Sequence, residues 1–154
     1  MVILAGILAG LPVMEWIAWA AHKWIMHGPL WILHRSHHRE RRGAWEANDA
    51  FGLFFSGVSI LFILRGVHGH PFQLGFGIGM ALYGLAYLIV HDVLAHGRFG
   101  RRGMPKHAYL RRLVRAHRVH HSRDEADGTR NFGFLWAPGK TKSGTPAPCG
   151  TLMP

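Results

Sequence analysis

The sequence predicts an all-α protein, an integral membrane helical bundle, and three observations support this. Three apolar runs interrupt the chain, the basic residues lie between and after these runs, and histidines cluster at their ends. Hydrophobic residues make up 49% of the 154 residues, although the formal net charge is +10. Such values agree when apolar helices lie in the bilayer and the charge lies outside it. The length corresponds to one domain.

The three apolar runs are the candidate membrane helices. The first covers Val2 to Ala21 and contains one charged residue, Glu15. It lacks the basic start and cleavage site of a signal peptide, so we expect a retained helix. The second, Ala50 to Leu64, is short for a span unless it begins nearer Ala44 or tilts little. The third, Phe72 to Val90, matches the roughly 20 residues that cross the hydrocarbon core.

Small residues recur in the third run at Gly75 and Gly79, with Gly77 and Ala81 beside them. In lipid, small residues at four-residue spacing let another helix approach closely. We interpret them as a packing surface. They do not form a nucleotide-binding fingerprint, because they lie in an apolar run that no strand precedes.

The basic residues predict the orientation of the helices. Clustered Lys and Arg can bind nucleic acid, but no nucleic-acid motif accompanies them, and cytoplasmic segments of membrane proteins gather the same residues. We therefore expect membrane lipids rather than nucleic acid as partners. We also expect a multi-pass protein of the cytoplasmic membrane with its N-terminus outside. The two basic regions contain Arg35, Arg39, Arg41 and Arg42, and Arg98, Arg101, Arg102, Lys106, Arg111, Arg112, Arg115, Arg118 and Arg123, whereas the loop between the second and third runs has only Arg65.

Ten of the thirteen histidines form the same two motifs twice. A His-x4-His motif is followed each time by a His-x2-His-His motif. With the predicted topology, all four motifs lie on the cytoplasmic side. His68, His70 and His107 lie outside the motifs, and we interpret them as ordinary surface histidines. The motif residues are His22 and His27, His34, His37 and His38, His91 and His96, and His117, His120 and His121.

Neutral imidazole is the commonest metal ligand in proteins. Residues i, i+3 and i+4 share a helix face, so each His-x2-His-His motif is predicted to point three nitrogens toward one place. Residues i and i+5 lie about 140° apart on an ideal α-helix. We therefore expect His22 and His27 to bind two different metals, unless the helix is distorted or ends between them, and Gly28 and Pro29 predict an end nearby.

The number of histidines predicts two metals. A zinc ion takes about four ligands, so ten imidazoles suit two ions with five nitrogens or fewer each. Imidazole also binds copper, iron and nickel, and ligand type alone leaves the metal open. Metal-bound histidines usually donate their other N–H to an acceptor. Asp49 and Asp92 are our candidates for that role, although Asp49 is equally a candidate helix N-cap.

The C-terminal segment has a different composition. We expect residues 1–137 to form the membrane domain, and residues 138–154, rich in Gly, Pro, Ser, Thr and Lys, to be disordered. The only cysteine, Cys149, lies in this tail, which excludes a disulfide framework and a thiolate metal site.

The residues around the histidines resemble those of a known family. The four motifs are similar to those of the membrane di-iron hydroxylases and desaturases of the fatty acid hydroxylase superfamily. The flanking residues narrow the resemblance to the carotenoid hydroxylases. The third motif, HDVLAH at 91–96, departs from the family pattern. The family more often has Gly and Val at the two positions of this motif that vary. The resemblance rests on AHKWIMHG at 21–28, HRSHH at 34–38, GAWEAND at 43–49, YLIVHDVLAH at 87–96, AHRVHH at 116–121 and NFGFLWAP at 131–138.

The resemblance implies a non-haem di-iron, O2-dependent monooxygenase that hydroxylates C3 of β-ionone rings. β-Carotene would become β-cryptoxanthin and then zeaxanthin. The ten motif histidines would bind two Fe ions, with no catalytic residue beyond these ligands and no bound organic cofactor. Electrons would come from reduced ferredoxin and its NAD(P)H-dependent reductase. The Arg-rich segments would steer an acidic ferredoxin, although binding of anionic lipid explains the same charge.

Three alternatives remain open from the sequence. One is a hydroxylase, ketolase or desaturase of the same superfamily that acts on a fatty acyl chain, a sterol or another carotenoid. The second is a non-enzymatic membrane protein that binds or transports metal. Transport sites usually lie near the membrane midplane, whereas these motifs lie at helix ends. The third is a nucleic-acid or lipid-binding module, whose activity would survive loss of the histidines.

Overall fold

The computed structural model describes residues 1–39, 43, 45–100, 104–122 and 131–137. All regular secondary structure in these ranges is helical, as the sequence predicts. The predicted disordered tail at 138–154 lies outside the described residues. The helices are α1 (Val2–Ala20), continued by a π-helix (Ala21–Met26), α2 (Trp31–His34), α3 (Asp49–Val67), α4 (Pro71–Tyr87), continued by a second π-helix (Leu88–Ala95), and α5 (Ala108–His120).

Three of these helices are long and apolar enough to cross a membrane. They are Val2–Met26 with 25 residues, Asp49–Val67 with 19 and Pro71–Ala95 with 25, counting the π-helical continuations. The expectation that the second run is short for a span was wrong. Helix α3 extends beyond the apolar run at both ends and includes the charged residues Asp49 and Arg65. Large apolar side chains such as Leu8, Leu53 and Leu61 point outward from these helices. We interpret this outward face as the lipid-facing surface of a membrane bundle.

Glycines set the contact between α1 and α4. A Cβ at Gly75 would lie 2.0 Å from the carbonyl oxygen of Ile3, and one at Gly79 would lie 2.6 Å from that of Ile7. The contacts advance along both helices together, so α1 and α4 are parallel. The structure confirms that Gly75 and Gly79 form a close packing surface for another helix.

Helix α3 packs antiparallel on the other side of α4. Ser59 Oγ donates a hydrogen bond to the carbonyl oxygen of Gly77 at 2.8 Å, and the short loop 68–70 joins the two helices. The C-terminal ends of α1 and α4 and the beginning of α3 consequently lie at one end of the bundle. Helix α5 covers this end, where Leu113 and Ala116 pack against Val90.

Candidate di-metal centre

All ten motif histidines meet at the end of the bundle that α5 covers. They form two groups of five, and in each group one ring nitrogen from every histidine lies within 4.8 Å of the others. Seven of the ten are buried. Site 1 consists of His22, His27, His34, His38 and His120, and site 2 consists of His37, His91, His96, His117 and His121. His68, His70 and His107 lie in neither group.

Each half of the chain supplies four histidines to one site and one to the other. His37 comes from the first half but lies in site 2, and His120 comes from the second half but lies in site 1. The prediction that each His-x2-His-His motif points three nitrogens toward one place was therefore wrong. Successive residues of a helix are about 100° apart, so the last two histidines of each motif diverge toward sites on opposite sides.

The His-x4-His motifs form π-helical turns. The backbone N–H of His27 donates to the carbonyl oxygen of His22 at 3.1 Å, and His96 donates to His91 at 3.0 Å. An i to i+5 hydrogen bond widens the turn, so that residues five apart stack along one face. The expectation that His22 and His27 bind different metals was wrong for this reason, since both lie in site 1.

The spacing of the ring nitrogens fits a metal ion in each site. Nitrogens bound to one ion at about 2.1 Å, with about 90° between them, lie about 3.0 Å apart. In site 1, His22 Nε2 lies 3.1 Å from His34 Nε2, and His27 Nε2 lies 3.1 Å from His120 Nε2. In site 2, the Nε2 atoms of His37 and His91 are 3.0 Å apart, and those of His96 and His117 are 2.7 Å apart.

The other nitrogens of site 1 determine which ring nitrogen faces the centre. His22 Nδ1 donates to the carbonyl oxygen of Phe132 at 3.0 Å. His34 Nδ1 donates to Asn48 Oδ1 at 2.7 Å. A neutral imidazole has one N–H, so both Nε2 atoms carry lone pairs and face each other. Two lone pairs at this distance need a cation between them, and a metal ion satisfies both.

Site 2 has the same arrangement with carboxylates as acceptors. His37 Nδ1 donates to Glu46 Oε2 at 2.9 Å, and His91 Nδ1 donates to Asp92 Oδ1 at 2.6 Å. Their Nε2 lone pairs therefore also face each other. The donor set of both sites, neutral imidazole nitrogens held by hydrogen bonds from behind, fits a metal that imidazole binds well, iron included.

The two predicted acceptors, Asp49 and Asp92, make different contacts around the histidines. Asp92 contacts His91 directly. Asp49 instead accepts the backbone N–H of Glu46 at 3.1 Å and the guanidinium of Arg98, which donates to Asp49 Oδ2 at 2.7 Å and to Asp92 Oδ2 at 2.6 Å. Asp49 is the first residue of α3 and not its N-cap, which is Asn48. The sequence reasoning did not assign this role to Glu46, Asn48 or the Phe132 carbonyl, although all three lie in stretches that carry the family resemblance.

Neighbouring charges and burial shift the pKa values of groups in and around the sites. The carboxylates of Asp49 and Asp92 raise the pKa of Arg98, with the hydrogen bond to Asp49 the larger cause. Burial lowers the pKa of His34 to about 2, against the opposing effect of its hydrogen bond to Asn48. Burial first, and neighbouring imidazoles second, lower the pKa values of His117 and His121. These histidines are neutral near pH 7, which is the form that binds metal.

A cavity of about 710 Å³ lies between α1, α3 and α4. Its volume falls within the usual range for small-ligand sites. Most of the lining is apolar, from residues such as Met14, Phe55 and Met80, while its polar end contains Asn48 and Asp92. Those two residues also contact His34 and His91, so the polar end of the cavity adjoins both sites.

Two aromatic rings separate this cavity from the histidines. Tyr87 lines the cavity and stacks on His91 with ring centroids 4.4 Å apart. Phe134 also lines the cavity and stacks on His22 at 4.9 Å. The two rings touch each other edge to face at 4.8 Å. Together they form an aromatic wall that faces the cavity on one side and both sites on the other.

Helices that are long and apolar enough to span a membrane, with two groups of five histidines at one end that could each hold a metal ion, define the class of histidine-motif membrane proteins. More narrowly, the chain belongs to the fatty acid hydroxylase family, whose model matches residues 7–138.

Curated relatives give a finer comparison. The chain is 48% identical to a protein named β-carotene hydroxylase from Pantoea ananas, over 84% of this chain and 74% of the relative. It is 42% identical to a β-carotene hydroxylase from Paracoccus sp. (strain PC1), over 86% of this chain and 82% of that protein. A chloroplastic β-carotene 3-hydroxylase of Arabidopsis thaliana is 38% identical over 78% of this chain and 39% of its own length. No solved structure matches the chain.

Proposed function

We propose that this protein is a di-iron monooxygenase that hydroxylates C3 of β-ionone rings, converting β-carotene to β-cryptoxanthin and then to zeaxanthin. One observation carries the proposal. An apolar cavity between membrane-spanning helices ends beside two five-histidine sites, in a chain 42% to 48% identical to bacterial proteins named β-carotene hydroxylases. The fatty acyl and sterol alternatives share the motifs but not these relatives.

The ten histidines of sites 1 and 2 would hold two Fe ions. Bound iron supplies the redox chemistry for O2 activation at an unreactive C–H bond, which zinc, having no redox chemistry, does not. The chain orients the ligands through the acceptors Asn48, Glu46, Asp92 and the Phe132 carbonyl. Because these acceptors hold Nδ1 as the protonated nitrogen, the Nε2 atom of each of the four rings would be the one to bind iron.

The cavity would bind one terminal ring of the substrate. Its apolar lining excludes water from the reacting C–H bond and matches a hydrocarbon that is dissolved in the bilayer. Tyr87 and Phe134 at its inner end would limit how deeply the ring enters. The wall would thereby select which ring carbon lies closest to the sites.

The reaction also needs electrons and a partner. In the hydroxylation, one oxygen atom of O2 enters the C–H bond and the other leaves as water, which consumes two electrons and two protons. We propose reduced ferredoxin, supplied by its NAD(P)H-dependent reductase, as the donor. Arg115 and Arg118 on α5 are exposed beside the sites, and such basic groups would attract an acidic donor.

We also propose a position in the cell. The described basic residues Arg35, Arg39, Arg115 and Arg118 lie at the same end of the bundle as the sites. The positive-inside tendency would place this end of a multi-pass protein of the cytoplasmic membrane in the cytoplasm. Reporter fusions at the N-terminus and after residue 137 would test it, and a cytoplasmic N-terminus would contradict it.

The deciding experiment is pigment analysis of a bacterial host that accumulates β-carotene, with and without this chain. We expect β-cryptoxanthin and zeaxanthin only with the chain, and neither with the His120→Ala variant. A folded, iron-loaded protein that forms no new carotenoid would contradict the substrate assignment. Fatty acyl and sterol products would then be analysed in the same cells.

A further inference from the structure

Glu15 is the only charged residue of α1, and its carboxylate binds a distant loop. The backbone N–H groups of Phe134 and Trp136 donate to Oε1 at 3.1 and 3.0 Å. The N–H of Leu135 reaches both oxygens, at 3.2 and 3.0 Å. The hydroxyl of Tyr83, on α4, donates to Oε2 at 2.8 Å. One carboxylate thus joins two membrane-spanning helices to the loop 131–137.

That loop contacts both metal sites. The carbonyl of Phe132 accepts the N–H of His22, and its ring lies 5.2 Å from those of His27 and His120, all in site 1. Phe134 stacks on His22 and lies 5.4 Å from His91 of site 2. The loop therefore fixes the orientation of one site 1 histidine and supplies half of the aromatic wall.

We propose that Glu15 is a positioning residue of the centre, which holds the loop 132–136 so that Phe132 orients His22 and Phe134 closes the cavity from the sites. It lies on a different helix turn from every histidine, and in the part of the chain that the structure describes its hydrogen bonds reach the sites through the loop. Only one part of this proposal, the role of the cavity, rests on the proposed function. The contacts to His22 and site 1 do not depend on the substrate.

The geometry suits a carboxylate at this position. Three successive N–H groups converge on two oxygens, and a carboxylate accepts at both oxygens without donating. An amide that kept its oxygen at the Oε1 position would turn its NH2 group toward the N–H of Leu135 at the Oε2 position. Its neutral oxygen would also hold the three N–H groups more weakly, because hydrogen bonds to a charged acceptor are roughly twice as strong as neutral ones. A second tether, from the Tyr109 hydroxyl to the carbonyl oxygen of Leu135, holds the same loop residue by its acceptor group and does not replace the bonds from the N–H groups to Glu15.

The loop also passes close to Glu15 at Gly133. A Cβ added there would lie 2.4 Å from the carbonyl oxygen of Trp136 and 3.0 Å from Glu15 Oε1. Gly133→Ala therefore displaces the loop from the carboxylate without changing a membrane helix. It provides an independent variant if Glu15→Gln does not insert into the membrane.

The experiment compares the full chain, Glu15→Gln, Gly133→Ala and Tyr83→Phe in detergent, with Trp16→Leu as the control. Trp16 is the neighbour of Glu15 and is 63% exposed. Hydrogen exchange of the 134–136 amides is measured first. We expect exchange about tenfold faster or more in Glu15→Gln and Gly133→Ala, a smaller change in Tyr83→Phe and none in Trp16→Leu. Unchanged exchange in both Glu15→Gln and Gly133→Ala would overturn the proposal.

A spectroscopic readout separates positioning from general stability. In protein loaded with ⁵⁷Fe, we expect the Mössbauer signal of one iron to change in Glu15→Gln, because His22 loses its Phe132 partner, while the other iron is little affected. Equal change at both irons would indicate general loosening and would contradict the proposal. Both readouts are independent of pigment conversion, so failure of the substrate assignment would leave them in place.

Discussion

His37 and His38 are neighbours in the chain, but their imidazoles lie in different metal sites. Nε2 of His37 is 3.0 Å from Nε2 of His91 in site 2, whereas Nε2 of His38 is 3.2 Å from Nε2 of His34 in site 1. His120 and His121 divide in the same way. A single peptide bond therefore links a residue of one site to a residue of the other. Each half of the chain also supplies one histidine to the site formed mainly by the other half.

If iron occupies both sites as proposed, this division predicts at which site each histidine variant loses it. We expect His34→Ala to lower iron binding at site 1 and His37→Ala to lower it at site 2, with hydroxylation abolished in both. Iron content and Mössbauer spectra of purified protein measure the two effects. His68→Ala is the control, because His68 lies at the opposite end of the bundle. Identical spectra from the His34 and His37 variants would refute the two-site assignment.

The acceptors behind the rings predict a weaker, site-selective loss. Asn48→Ala removes the acceptor of His34, and Glu46→Ala removes that of His37. Loss of such a partner typically lowers metal affinity about 10- to 100-fold. Competition with a chelator should show site 1 weakened in the first variant and site 2 in the second. The exposed Lys106 supplies a control, and affinities equal to those of Lys106→Ala would be evidence against the role.

Helix packing gives a stability prediction that does not involve metal. Gly75→Ala places a Cβ against the Ile3 carbonyl, and such overpacking costs about 1–3 kcal/mol. Gly57→Ala meets nothing within 4 Å and gains helix propensity. We expect a lower thermal midpoint in detergent for Gly75→Ala alone. A midpoint as high as that of Gly57→Ala would mean that α1 and α4 are not in close contact.

A matched pair of glycines on α3 tests the cavity. Gly52 lines it and Gly57 does not, and an added Cβ meets nothing within 4 Å at either position. Gly52→Phe should fill part of the cavity and lower conversion of β-carotene about tenfold or more, while Gly57→Phe stays active. Iron content should be equal in the two variants. Full conversion by Gly52→Phe would place the substrate elsewhere.

The charge on α5 predicts how the electron donor binds. Arg111→Glu combined with Arg115→Glu should slow reduction by ferredoxin about tenfold at low ionic strength, because oppositely charged surfaces accelerate association. Stopped-flow reduction of the iron-loaded protein measures the rate. Arg65→Glu, at the other end of the bundle, is the control. Equal rates in the two variants would leave anionic lipid as the ligand of this charge.

Local sequence features account for much of the fold. Hydrophobic length identified three helices, because crossing a bilayer requires about the same number of apolar residues in any protein. The spacing of Gly75 and Gly79 indicated a close helix contact, because only small residues allow it. Both ends of α3 were placed too far inward, since Asp49 begins the helix and Arg65 continues it despite their charge.

For the candidate site, too, one part followed from the sequence and another part only from the structure. The sequence by itself determined which ten side chains meet and that they suit two metals, because imidazole chemistry and repeated spacing are local properties. Only the tertiary structure decided how they divide. The π-helical turns bring His22 and His91 onto the faces of their partners five residues later, and the placement of α5 sends His120 to the opposite half's site. An ideal α-helix does not describe the first, because an i to i+5 bond widens the turn. The second depends on where α5 packs, which the spacing of the histidines does not give.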